Sequence, residues 1–135
     1  MWDVLEHFQR EELLKLLDLV HAAMRPKGLL IAHVPNAEGI FGMRVRYGDL
    51  THELCFTPKS MRQVLAVCGF NDVLCYEDKP IVHGIKSALR FLVWRLFTLP
   101  VRLLLLAETG EGGHILSQNM LITARRGMGT PCLQV

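Results

Sequence analysis

The 135-residue sequence has no glycine-rich loop joining a strand to a helix. That absence removes the backbone cradle by which dinucleotide-binding folds hold a pyrophosphate. Gly110, Gly112 and Gly113 follow an apolar helical stretch rather than a strand, so they do not substitute for it. The four cysteines (Cys55, Cys68, Cys75 and Cys132) form no CxxC or other metal-ligand spacing. Reduced thiols in a cytoplasmic protein are the simplest account of them. Aromatic residues are few, and a net charge of +2 without a basic, aromatic-interleaved run gives no footprint for nucleic acid. A basic leader followed by a cleavable apolar stretch is also lacking, which argues against a signal peptide. Finally, no acidic residue occurs between Asp78 and Glu108.

What is present is apolar: half the residues are hydrophobic and about a fifth are charged, enough to build a core for one ordinary domain. The organising stretch is the first one, Met1-Trp2-Asp3-Val4-Leu5-Glu6-His7-Phe8, which reads as the tip of a buried strand feeding a helix. From Glu11 to Met24 apolar residues recur at helical spacing, and Pro26 and Gly28 stop the helix. Leu29–Val34 is a continuous apolar run, expected of a strand covered on both faces of a parallel sheet. Residues 37–56 show no clean period, and a connection that long is usually functional or mobile. Thr57-Pro58 is a helix start, followed by Met61, Val64, Leu65 and Cys68 at helical spacing and closed by Gly69. Phe70–Tyr76 reads as a strand and Leu116–Arg125 as the final one. Between them, Ile85–Ala107 is strongly apolar, and Pro100 is expected to kink or split it into two helices. The tail over 127–135 is expected to be loose.

Several pieces in order resemble class I S-adenosylmethionine-dependent methyltransferases: Trp2-Asp3-Val4-Leu5-Glu6-His7, Met24-Arg25-Pro26-Lys27-Gly28-Leu29-Leu30, His52 to Ser60, Gly69-Phe70, and Ser117 to Arg125. Thr51-His52-Glu53 is similar to the Thr-His-Asp of the type 11/23-like O-methyltransferases of quinone biosynthesis, with Glu for Asp. The resemblance covers residues 1–126, the carboxyl-terminal half of such a domain. It implies that the glycine-rich half and the acidic ribose-binding residue lie outside this chain. The implied fold class is α/β, a partial Rossmann-like methyltransferase sheet of strands five, seven and six with flanking helices. The seventh strand would be antiparallel between the other two, and a helical cap over 84–107 would precede it. Strand five would then present an unpaired edge, a liability for self-association.

The implied cofactor is S-adenosylmethionine, in a site this chain completes only in part, with Trp2 and Asp3 at its methionine end. The implied activity is methyl transfer, to an oxygen of a small metabolite, glycan or lipid-linked acceptor, with the isolated chain inactive. His52 with Glu53 is the candidate catalytic pair, because a neutral imidazole suits removal of a hydroxyl proton near pH 7. Asp49 or Glu53 could orient that ring; a loop-packing role for His52 is the competing reading. No metal is expected: Asp49, His52 and Cys55 lack further ligands, and His52-Glu53 does not continue as HExxH. Glu6 and His7 read as structural, capping a helix start and tying down a loop. His33 reads as a satisfied core histidine. Arg44, Arg46 and Tyr47 could recognise an anionic or sugar group, or simply face solvent.

The 85–107 segment is either a cap on the substrate site or a peripheral membrane contact. Its four cations fall on no single stripe, which favours the cap. The alternative function is a non-catalytic, truncated interaction or membrane-surface module.

Overall fold

The computed structural model describes residues 1–128. Three strands, β1 (Leu29–Pro35), β2 (Phe70–Glu77) and β3 (Asn119–Arg126), form one sheet in the order β1-β3-β2. Both neighbours of β3 run antiparallel to it, so β1 and β2 point the same way. This is the five-seven-six arrangement the sequence implied, with the last strand inserted between two parallel ones. β3 begins three residues later than expected; Leu116 and Ser117 are buried but lie ahead of the ladder.

The helices are α1 (Arg10–Ala23), α2 (Gly42–Gly48), α3 (Pro58–Val67) and α4 (Ile85–Thr109). At the start of α1, Gln9 N–H donates to the Glu12 carboxylate at 3.0 Å. At α3 the Thr57 hydroxyl accepts from Ser60 N–H and the Ser60 hydroxyl accepts from Thr57 N–H. Leu13 and Leu17 of α1, with Met61 and Leu65 of α3, pack on Leu30, Ala32, Val34, Met120, Ile122 and Ala124 of the sheet. Register explains the set: Leu30 opposes Ala124, Ala32 opposes Ile122 and Val34 opposes Met120, so all six share one face.

The other face is uncovered along much of its length. Leu29 and Ile31 of β1 and Leu74 and Tyr76 of β2 are exposed there. The expectation that β1 is covered on both sides is therefore corrected. Its apolar run marks two apolar faces, of which these residues bury one.

Met1–Asp3 runs parallel along the outer edge of β1. The Met1 amino group donates to Ile31 O, His33 N–H to Met1 O and Asp3 N–H to His33 O. It satisfies the edge only over Ile31–His33.

Two further expectations change. The supposed unstructured connection holds α2, a two-turn helix between Gly42 and Gly48 that shows no periodicity because it buries almost nothing but Gly42. Pro100 does not split the apolar segment, which is a single helix of 25 residues. Pro100 is itself exposed, and the helix runs through it. Of the tail, Gly127 is held by its N–H to Gly69 O, so it is not loose; residues 129–135 lie outside the described residues.

Candidate functional site

Residues with chemistry gather at the carboxyl ends of β1 and β2, the edge where ligands sit in open α/β sheets. Asn36, directly after β1, is fully buried and organises it. Its side-chain amide donates to Ile115 O and Ser117 O at 2.7 and 2.9 Å, and its Oδ1 accepts from Glu38 N–H. One residue thus ties the segment before β3 to the turn after β1. Gly42 is required beside it, since a Cβ there would lie 1.8 Å from Asn36 O.

Trp2 and Asp3 stand against β1. The Trp2 indole stacks on His33, with ring centroids 4.3 Å apart and planes 9° from parallel, and its outer side is open. Asp3 Oδ1 lies 2.6 Å from His33 Nδ1, while Asp78 Oδ2 lies 3.4 Å from His33 Nε2. His33 is therefore satisfied, as expected of a buried strand histidine, but by two carboxylates from the site edge rather than by core backbone. Asp78 in turn lines a cleft of about 1140 Å³ beneath α4, together with Ile40, Phe41, Trp94, Phe97 and Ser117. The helix is fastened over this cleft by Arg102. Its Nη2 donates to both Glu77 carboxylate oxygens, at 2.6 and 2.7 Å, and its Nη1 donates to His114 O.

A second group forms where the turn Leu5–His7 meets residues 49–54. Glu53 N–H and Leu54 N–H both donate to Glu6 O, at 2.7 and 2.9 Å, and so bring distant segments together. His7 and His52 meet edge to face at 4.8 Å. His52 Nδ1 lies 3.1 Å from Val45 O. A carbonyl only accepts, so Nδ1 carries the proton and a neutral ring leaves the Nε2 lone pair free. His7 Nδ1 lies 2.9 Å from the Thr51 hydroxyl, which donates its own hydrogen to Asp49 Oδ1; the same tautomer follows for His7. The Thr51 amide and then its hydroxyl hold the exposed Asp49 carboxyl below its ordinary range.

Glu6 completes the group. Its side chain is buried, and Oε2 has no hydrogen-bond partner. Burial pushes this carboxyl above the ordinary glutamate range, with Asp3 adding to the rise and the Glu6 backbone, His52 and His7 opposing it. The expectation that Glu6 accepts free amides at a helix start holds only for its own backbone N–H, and Oε2 is left without a partner. His7 does tie down the 49–54 loop, as expected. His52 is oriented by the Val45 carbonyl, not by Asp49 or Glu53. The Glu53 side chain is exposed, and its backbone rather than its carboxylate is used, binding Glu6 and accepting from Arg46. Glu6, His7 and His52 each offer a ligand atom within 4.8 Å of the others. This group of possible ligands was not assembled by sequence reasoning, which tested Asp49, His52 and Cys55 instead. Two histidines with locked Nδ1 atoms and an orphaned buried carboxylate oxygen are a fitting donor set for a divalent cation.

No family model matches the chain, and comparison with curated proteins finds no match. Among solved structures it is similar to a SAM-dependent methyltransferase from Archaeoglobus fulgidus, with a TM-score of 0.60 and 19% identity. That similarity covers 93% of this chain and 57% of the other.

Proposed function

We infer that function here follows from a methyltransferase-like α/β fold that spans a little more than half the length of that solved structure. We propose that this chain is the carboxyl-terminal part of an S-adenosylmethionine-dependent methyltransferase domain, acting on an oxygen of a small metabolite, glycan or lipid-linked acceptor. The observation that carries the reading is the parallel run of Met1–Asp3 along β1, with Trp2 open on one side at the carboxyl edge. In this reading Trp2 and Asp3 flank the methionine end of the cofactor, and the acceptor enters the cleft beneath α4 against Asp78. Methyl transfer then depends mainly on holding the sulfonium methyl and the acceptor oxygen in line. His52, with Nε2 unprotonated, takes the hydroxyl proton; Glu53 only anchors its loop through the backbone. The open sheet face and the remaining β1 edge receive further polypeptide, either the glycine-rich half of the domain or a second copy.

The test is titration of the ¹⁵N-labelled chain with S-adenosylhomocysteine, followed by NMR. With the adenosine contacts supplied elsewhere, the expected affinity is about 1–10 mM. Shifts should centre on the Trp2 indole and the Asp3 amide, and adenosine alone should not produce them. A folded chain whose Trp2 and Asp3 signals ignore the ligand would overturn the proposal.

A second reading of the same edge is favoured by the orphaned Glu6 oxygen. Here Glu6, His7 and His52 hold a divalent cation, which would polarise the acceptor hydroxyl and lower its pKa. Mn²⁺ should then broaden the His7 and His52 resonances selectively, and Glu6→Gln should abolish the broadening. Unchanged spectra leave His52 as a simple base.

A further inference from the structure

The outward side of α4 is built for a surface that the protein itself does not supply. Ile85, Leu89, Leu92, Leu96, Leu99 and Leu103 follow one another at steps of four and three, and every one is more than half exposed. At about 3.6 residues per turn these six form one unbroken stripe along the helix. The opposite side carries Thr98, the only buried residue of α4, together with the half-buried Ser87, Phe91, Trp94, Val101 and Arg102. The stripe therefore stays open to solvent, although Leu89 also borders the cleft beneath α4, and Leu92, Leu96 and Leu99 border a shallower one beside Glu77 and Lys79.

Its borders are cationic. Lys86 and Arg90 lie along one flank and Arg95 along the other, each roughly 80–140° from the middle of the stripe. All three are exposed and have no ion-pair partner among the described residues, although Arg90 also borders the cleft beneath α4 and Arg95 lies 5.9 Å from the Phe91 ring. The fourth cation, Arg102, points inward to Glu77. No acidic residue interrupts the sequence from Lys79 to Ala107.

We propose that α4 is an in-plane anchor, docking this chain on the surface of an anionic lipid bilayer. Its leucines would enter the acyl boundary while Lys86, Arg90 and Arg95 meet phosphate headgroups. The charge pattern selects this occupant. A second copy docked stripe to stripe would bring cation rows against cation rows, and like-charge contacts of that kind are unfavourable. An anionic bilayer surface instead offers negative headgroups along both flanks of an apolar stripe about 27 Å long. The helix lies on the bilayer rather than through it, since no helix among the described residues is long and apolar enough to cross.

The experiment is co-sedimentation of the full chain with vesicles of phosphatidylcholine alone and of phosphatidylcholine with phosphatidylglycerol, at low and high salt. Binding is expected to the anionic vesicles, weakened by salt. Replacing Lys86, Arg90 and Arg95 by Gln should lower affinity about fivefold per cation. The pair Leu96→Glu and Leu103→Glu should abolish binding. Both positions are exposed, so the thermal melt should be unchanged. The proposal is overturned if the folded chain stays in the supernatant with both vesicle types, or if the glutamate pair binds as well as the parent. It is equally overturned if sedimentation equilibrium shows a dimer that the glutamate pair dissolves, because the stripe then belongs to a second copy.

Discussion

Replacing Glu6 by Met removes a buried carboxylate whose Oε2 has no partner while keeping a side chain of similar size. An unsatisfied buried polar group costs about 1–3 kcal/mol, and an ion more. The sign with pH follows from burial raising the folded-state value. Below the unfolded value near 4.5 the group is protonated in both states, and the parent chain carries no pH-dependent penalty. As pH rises through the raised folded value, the unfolded chain ionises freely while the folded one ionises against desolvation, so the parent loses stability. Glu6→Met has no such loss. Its advantage should be smallest at pH 4, about 1–3 kcal/mol for the neutral group, and grow toward pH 7, each further kcal/mol raising Tm by roughly 4 °C. A divalent cation held by Glu6, His7 and His52 reverses the order. At a hundredfold excess over its Kd it stabilises the parent by about 2.7 kcal/mol and leaves the variant untouched. Urea unfolding between pH 4 and 8, with and without Mn²⁺, measures both effects. A variant less stable than the parent by the same amount at every pH and metal concentration would refute the reasoning, because Glu6 would then have an unseen partner.

Three other outcomes can be stated briefly. Asn36→Ala strands the carbonyls of Ile115 and Ser117 and should cost about 2–4 kcal/mol in urea unfolding, with the turn after β1 losing hydrogen-exchange protection first. Thr57→Ala removes the α3 N-cap and should cost about 1 kcal/mol, whereas Thr57→Ser should cost little. Burial pushes the thiols of Cys55 and Cys75 up, so at pH 8 both should alkylate more slowly than a free cysteine and speed up as pH rises.

The parts of the fold legible in the sequence were those carried by local signals. The helical period of α1, the Thr57-Pro58 start of α3 and the apolar run of β1 each lie within a dozen residues. The order of the sheet was legible only through resemblance, since nothing local says that β3 lies between β1 and β2. The candidate site was legible residue by residue but not as a constellation. Glu6 and His7 are separated from His52 by about forty-five residues. Their meeting depends on two backbone bonds from Glu53 and Leu54 to Glu6 O, which leave no mark on composition or spacing. Asn36 was likewise silent: a single buried amide serving three backbone groups reads in sequence as an ordinary turn residue.

The apolar helix shows how the structure changes which residues a local argument has to count. On an isolated helix, cations at 86, 90, 95 and 102 scatter around the axis, and the absence of one polar stripe speaks against an interfacial role. The structure removes one side of that wheel. Arg102 is spent on Glu77 and Thr98 is buried, so the side of α4 that a surface can meet excludes both. What remains is a leucine ladder bordered by Lys86 and Arg90 on one flank and Arg95 on the other. The relevant amphipathicity is that of the exposed part of the helix, not of the whole cylinder. Pro100 fits the same account. A proline inside a buried helix strands a carbonyl in the core, whereas Pro100 stands on an exposed side of α4.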